Sequence, residues 1–67
     1  MVKTGRYEFV AGTSAKFWEL KAMGDGEYGA IWGRIGKAHQ GPTIYDTAKA
    51  EKVVAEKIKK GYVLVAR

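Results

Sequence analysis

Cysteine is absent from the 67 residues, so neither a disulfide framework nor a thiolate metal site is open to this chain, and packing alone must hold it together. Proline occurs once, at Pro42, and histidine once, at His39. A lone imidazole without cysteine or a spaced second ligand reads as an ordinary surface residue, not as a metal ligand or a catalytic base. Acids are few, seven against twelve lysines and arginines. They are scattered among lysines and turns, so no acid pair stands out for proton transfer, and neither an enzyme nor a cofactor is expected. No apolar run approaches membrane-spanning length, and Met1 to Arg6 lacks the hydrophobic core of a signal peptide. These absences predict a cytoplasmic protein that is not bound to a membrane.

What remains is small, basic and β-rich. The formal charge of +5 and pI near 9.6 favour anionic partners through long-range attraction, although charge alone decides little. The length allows one domain, residues 1–67, in a size range where one helix must cover one sheet to bury enough apolar surface. Gly5 to Val10 predicts a first strand, and the glycine-containing segment Ala11 to Ser14 leads to a second over Lys16 to Lys21. Alternation turns Trp18 and Leu20 to the core and Phe17, Glu19 and Lys21 away from it. Met23-Gly24-Asp25-Gly26 is a strong turn signal before a third strand, Glu27 to Ile35. A loop over Gly36 to Pro42 and a short fourth strand at Thr43 to Tyr45 follow. The loop's glycine spacing fits neither the P-loop nor the dinucleotide fingerprint. From Ala48 to Lys60 the apolar residues Ala50, Val53, Val54 and Ile58 recur at helical spacing, with Thr47 as the expected N-cap and Gly61 as the stop. Tyr62 to Ala66 should return as a fifth strand. The fold class is therefore α+β, in the order β-β-β-β-α-β.

The third strand carries the most distinctive chemistry. Ile31, Gly33 and Ile35 share one face, while Tyr28, Ala30, Trp32 and Arg34 share the other. An indole two residues from a guanidinium suits a ligand with a flat ring or sugar beside an anion. The alternative is that Trp32 fills a second small core and Arg34 only lies over it, its head in water. Gly33 makes room either for a bulky core residue such as Trp18 or for a bulge that re-aims the indole. Phe17, turned away from Trp18, is a candidate neighbour of Trp32. Trp18 is expected to be the more deeply buried tryptophan.

Trp32-Gly33-Arg34-Ile35-Gly36, preceded by Gly12-Thr13-Ser14 and Lys16-Phe17-Trp18-Glu19 and followed by Tyr45-Asp46, Glu56-Lys57 and Lys60-Gly61-Tyr62, resembles the WGR domain. Each of these fragments is weak alone, but their order and spacing cover nearly the whole chain. The resemblance implies a small twisted antiparallel sheet with one helix between the fourth and fifth strands. WGR domains occur in poly(ADP-ribose) polymerases, where they contact DNA near strand breaks, and in stand-alone or fused bacterial proteins. The resemblance therefore implies a DNA-contacting role for Trp32 and Arg34. Damage-dependent signalling does not carry over, because the chain has no catalytic domain and no zinc fingers, and its Lys37 to Pro42 loop resembles the family only loosely.

Together these readings predict a monomeric, non-catalytic nucleic-acid-binding module, with DNA favoured and ends, nicks or single strands as candidate forms. Arg34, Lys16, Lys37 and Lys21 are the expected phosphate contacts, Trp32 the packing residue, and Gly33, Phe17 and Tyr28 its surroundings. The rival reading is a protein-interaction adaptor that uses the same face, since Trp, Tyr and Arg are also frequent interface anchors.

Overall fold

A computed structural model describes residues 2–65. The chain runs β1 (Gly5–Ala11), β2 (Ser14–Gly24), β3 (Glu27–Arg34), β4 (Gln40–Asp46), α1 (Thr47–Lys60) and β5 (Val63–Val65). The strands form one sheet in the order β4-β3-β2-β1-β5, and every neighbouring pair is antiparallel. This is the expected α+β fold with its helix before the last strand. The first four strands are a meander, each pairing with the next. β4 and β5 form opposite edges, so α1 must cross the sheet to connect them. Ala66, assigned to the last strand from its sequence, lies outside the described residues.

Turn chemistry explains the hairpins. Asp25 and Gly26 both have positive φ, 53° and 74°, the combination that joins twisted strands in two residues. The strand ends differ from expectation. β2 extends from Ser14 to Gly24 because the hairpin ladders continue to both turns, and β4 starts at Gln40, which takes Gly41 and Pro42 out of the loop. The helix is capped by Asp46 rather than Thr47. The Lys49 amide donates to Asp46 Oδ1 at 2.8 Å, while Thr47 Oγ1 donates to the Gly26 carbonyl at 3.0 Å and ties the first turn to the β2–β3 hairpin. Gly61 ends the helix at φ 108°, its amide donating to the Ile58 carbonyl and that of Tyr62 to the Lys57 carbonyl. Both bonds satisfy otherwise unpaired last-turn carbonyls.

Helix and sheet bury one core of Val2, Tyr7, Trp18, Leu20, Ala30, Ala50, Val53 and Val54. A side chain such as Leu20 or Val53 contributes about 1.5–3 kcal/mol when taken out of water. Tyr7 stacks at a tilt on Trp18, with ring centroids 5.5 Å apart, and its hydroxyl donates to the Lys3 carbonyl at 2.6 Å. That bond draws the N-terminal segment against the core. Ile58, expected on the buried stripe, is 56% exposed because Lys57 continues that stripe over Trp18 while Ile58 lies to its side, bordering an open hollow with Val2 and Val54.

The face assignment of β3 requires correction. Trp18 pairs directly with Trp32, Leu20 with Ala30 and Lys16 with Arg34, so all six share the helix-covered face. Trp32 packs against the core at its rim, whereas Trp18 is 2% exposed. Trp18 is thus the more buried, but because the helix covers the middle of their shared face and not because the two point apart. Phe17 pairs with Gly33 on the opposite, helix-free face. There it is 6% exposed, beneath the Arg6 guanidinium carbon at 4.3 Å from its ring centre. Arg6 is held by Glu8 at 2.7 Å and Glu19 at 3.7 Å. Phe17 is therefore not the ring beside Trp32. Gly33 likewise makes no room for Trp18. A Cβ there would meet the Ala38 carbonyl at 3.2 Å and His39 Cα at 3.4 Å, so it admits the β3–β4 loop.

Candidate nucleic-acid interface

The helix does not cover the whole of its face. Beyond Trp18 and Trp32 the sheet continues for another cross-strand row, Phe9 opposite Lys16 and Lys16 opposite Arg34. The last turn of α1 and the residue after its cap overhang this row. A cleft of about 240 Å³ results, bordered by Lys16, Trp32, Arg34, Gln40, Lys57 and Tyr62, with Phe17 and Gly33 contributing to its wall. The Phe17 ring itself faces the other side.

Each element places its part for a local reason. Register sets Lys16 and Arg34 side by side on adjacent strands, about 5 Å apart at the backbone. Trp32 is fixed from beyond by Gly41, where a Cβ would stand 2.9 Å from the indole and 2.6 Å from the Ala30 carbonyl. Gly41 has φ 98°, so both conformation and space require glycine there. The helix stop swings Tyr62 back over Phe9, with ring centroids 5.5 Å apart and planes 35° from parallel. Lys57 reaches from the last turn over two rings, its Nζ 5.1 Å from the centre of Tyr62 and 5.8 Å from that of Trp18.

Charge is concentrated here. Lys16 and Arg34 are exposed and Lys57 half-buried. Among the described residues no carboxylate lies within ion-pair distance of these three or of Lys60. Burial lowers the Lys57 pKa below the ordinary lysine value, and repulsion from Lys60 and Lys16 lowers it further, while Glu56 opposes the shift. The aromatic rings also favour the ammonium, but at more than 5 Å their pull is near the limit of its range. Because the helix C-terminus presents the negative end of its dipole, the positive potential here comes from side chains alone.

Of the residues expected from sequence, Trp32, Gly33, Arg34, Lys16 and Phe17 border the cleft. Lys37 lies beside it, in a concavity shared with Arg34 and Thr13, its amide donating to the Arg34 carbonyl at 3.0 Å. Lys21 and Tyr28 lie elsewhere. Lys21 pairs with Gly29 on the helix-free face, and Tyr28 pairs with Ala22 and Tyr45 near the β2–β3 turn. Sequence reasoning missed Lys57, Tyr62 and Gln40. The available signal was a lysine on the apolar stripe: Lys57 lies three, four and seven residues after Val54, Val53 and Ala50, the face that the helix turns to the sheet, whereas Tyr62 falls on a segment that reads as structural. Among the described residues no cluster of His, Asp and Glu could hold a metal ion, and no helix is long and apolar enough to cross a membrane. No family model, curated protein or solved structure matches the chain.

Proposed function

We propose that the chain is a WGR-type, non-catalytic nucleic-acid-binding module, with DNA favoured, and that it binds at the open end of the helix-covered sheet face. The observation that carries this reading is the pairing of Lys16 with Arg34 beside the partly exposed Trp32, with Lys57 across the cleft and no carboxylate in ion-pair contact among the described residues. A cluster of cations without acids costs electrostatic energy in the free protein, and a polyanion relieves it. The rings supply surfaces for sugar or base, which phosphate contacts alone cannot exploit. The order of motifs around Trp32-Gly33-Arg34 supports the same assignment.

The test is fluorescence anisotropy with labelled single-stranded, blunt duplex and nicked DNA, and with RNA, across a salt series. The parent should bind at least one of these, with log K falling as log salt rises. A Lys16→Ala/Arg34→Ala double variant should flatten the slope by about 1.4–1.8 units, at about 0.7–0.9 per phosphate contact. Lys21→Ala, at the far end of the sheet, should behave as the parent. Trp32→Leu keeps an apolar group against the core and should weaken binding without altering the slope. If the parent binds none of the nucleic acids, or the folded double variant binds as the parent does, the reading is wrong and a protein partner at this face takes its place.

A further inference from the structure

We infer that the ligand is a single strand of nucleic acid, laid across the strand ends from the helix C-terminus to the β3–β4 loop. This inference rests on the nucleic-acid reading above and goes beyond it in naming the strand's form, its path and the residues that hold it.

The path follows from three concavities that share residues. The cleft at Trp32 shares Lys16 and Tyr62 with a neighbour of about 280 Å³ that adds Phe9 and Lys60. It shares Arg34 with another of about 230 Å³ that adds Thr13, Ala15, Ile35 and Lys37 and turns around the strand ends, since Ala15 and Ile35 alternate to the helix-free side. Lys60, Lys16, Arg34 and Lys37 therefore lie in sequence along one route, with Lys57 over its middle. It crosses β2 and β3 at adjacent register positions, so Lys16 and Arg34 stand about one strand spacing apart. Each concavity is smaller than the range of about 300–1,000 Å³ that takes a whole small-molecule ligand. A chain of small units, one per hollow, fits better than one compact cofactor.

The rings decide between one strand and two. Trp32 and the Tyr62–Phe9 pair are half-buried at the floor and wall of the hollows. The bases of an intact duplex are already stacked and paired, so they cannot enter such recesses without being unstacked at a cost of a few kcal/mol. A single strand offers its bases freely, and sequence-tolerant stacking on aromatic side chains within a basic groove is how such strands are held. The sheet end thus provides two ring surfaces, the Tyr62–Phe9 pair on the β1 side of Lys16 and Trp32 on the β3 side, with Arg34 next to Trp32 along its own strand, so that base and phosphate contacts can be made side by side.

The experiment compares oligothymidine with a blunt duplex of equal length, by anisotropy across salt, for the parent and three variants. Lys60→Ala and Lys37→Ala change exposed side chains at the two ends of the route and leave the core intact. Each should flatten the single-strand salt slope by about 0.7 units. Tyr62→Leu should weaken oligothymidine about tenfold with the slope unchanged, as expected for loss of one stacked base, while its thermal midpoint reports on folding. The parent should bind oligothymidine more tightly than the duplex and show altered tryptophan fluorescence on binding. Tighter or equal binding of the duplex, or single-strand slopes unchanged in both Lys60→Ala and Lys37→Ala, overturns the single-strand path. In that event a loss of duplex binding in Lys16→Ala/Arg34→Ala still sustains the module's function. If no nucleic acid binds at all, both readings fall together.

Discussion

Lys57 stands where the protein's own charges oppose it. Burial disfavours its ammonium, Lys60 from its own helix and Lys16 from β2 repel it, Glu56 assists it, and Arg34 borders the same cleft. The sign of the linkage follows. Its folded pKa lies below the unfolded value, so the folded state sheds this proton first, and the stability forgone at neutral pH returns as pH rises from the folded pKa toward that of a free lysine. Carbon-detected NMR of the lysine Cε signals should show Lys57 titrating below the ordinary lysine value. Addition of oligothymidine should move its midpoint upward, since a phosphate nearby favours the ammonium. A Lys57 midpoint at or above that of a free lysine would contradict the crowding. Only part of this was legible in the sequence. Lys57 continues the Ala50, Val53 and Val54 stripe at helical spacing, but the i, i+4 relation of Glu56 with Lys52 and Lys60 reads as a solvated face, and only the crossing of the helix over the sheet brings Lys57 above Trp18. Trp32 and Arg34, by contrast, could be singled out from local pattern, because a Trp and an Arg on one side of a strand need no tertiary knowledge to be noticed.

Among the elements, the helix was the most readable and its start the least. The three-to-four spacing of Ala50, Val53 and Val54 located the buried stripe, but Asp46 and Thr47 both carry oxygens suited to a cap, and only geometry separates them. Asp46→Ala should lower stability by about 0.5–2 kcal/mol by chemical denaturation. Thr47→Ala should cost less, since its bond to the Gly26 carbonyl is exposed. A larger loss at Thr47 would restore the expected cap. The strands' existence was legible from alternation, but the pairing that decides which faces coincide was not. The Asp25-Gly26 turn pairs Gly24 with Glu27, and that register carried straight on would have put Trp32 and Arg34 on the face of Phe17 as expected; an irregularity between Ala22 and Gly24 shifts the ladder by one residue and sets Trp32 opposite Trp18. Gly33 misled for the same reason, because a glycine announces a close approach without saying from which side.

Across the whole molecule the ends differ in charge. Asp25, Glu27 and Asp46 gather where the β2–β3 turn meets the helix start, with Glu27 paired to Asp46 across the strands. Lys16, Arg34, Lys37, Lys57 and Lys60 gather at the other end, along a body whose longest dimension is 37 Å. Two carboxylates, Glu8 and Glu19, are drawn to Arg6 on the helix-free face. Although Lys49 stands on the first helical turn beside these acids, the uneven placing of these charges gives the protein a charge asymmetry as well as a net positive charge. In the field of a polyanion it experiences a torque that turns the cleft forward before contact, so many collisions that would be wasted on a uniformly charged sphere become productive. Glu27→Lys raises the net charge yet weakens this alignment. In stopped-flow association at low salt it should gain less in rate than Lys37→Ala loses, although the charge change is twice as large and the ordering would reverse if net charge alone governed encounter.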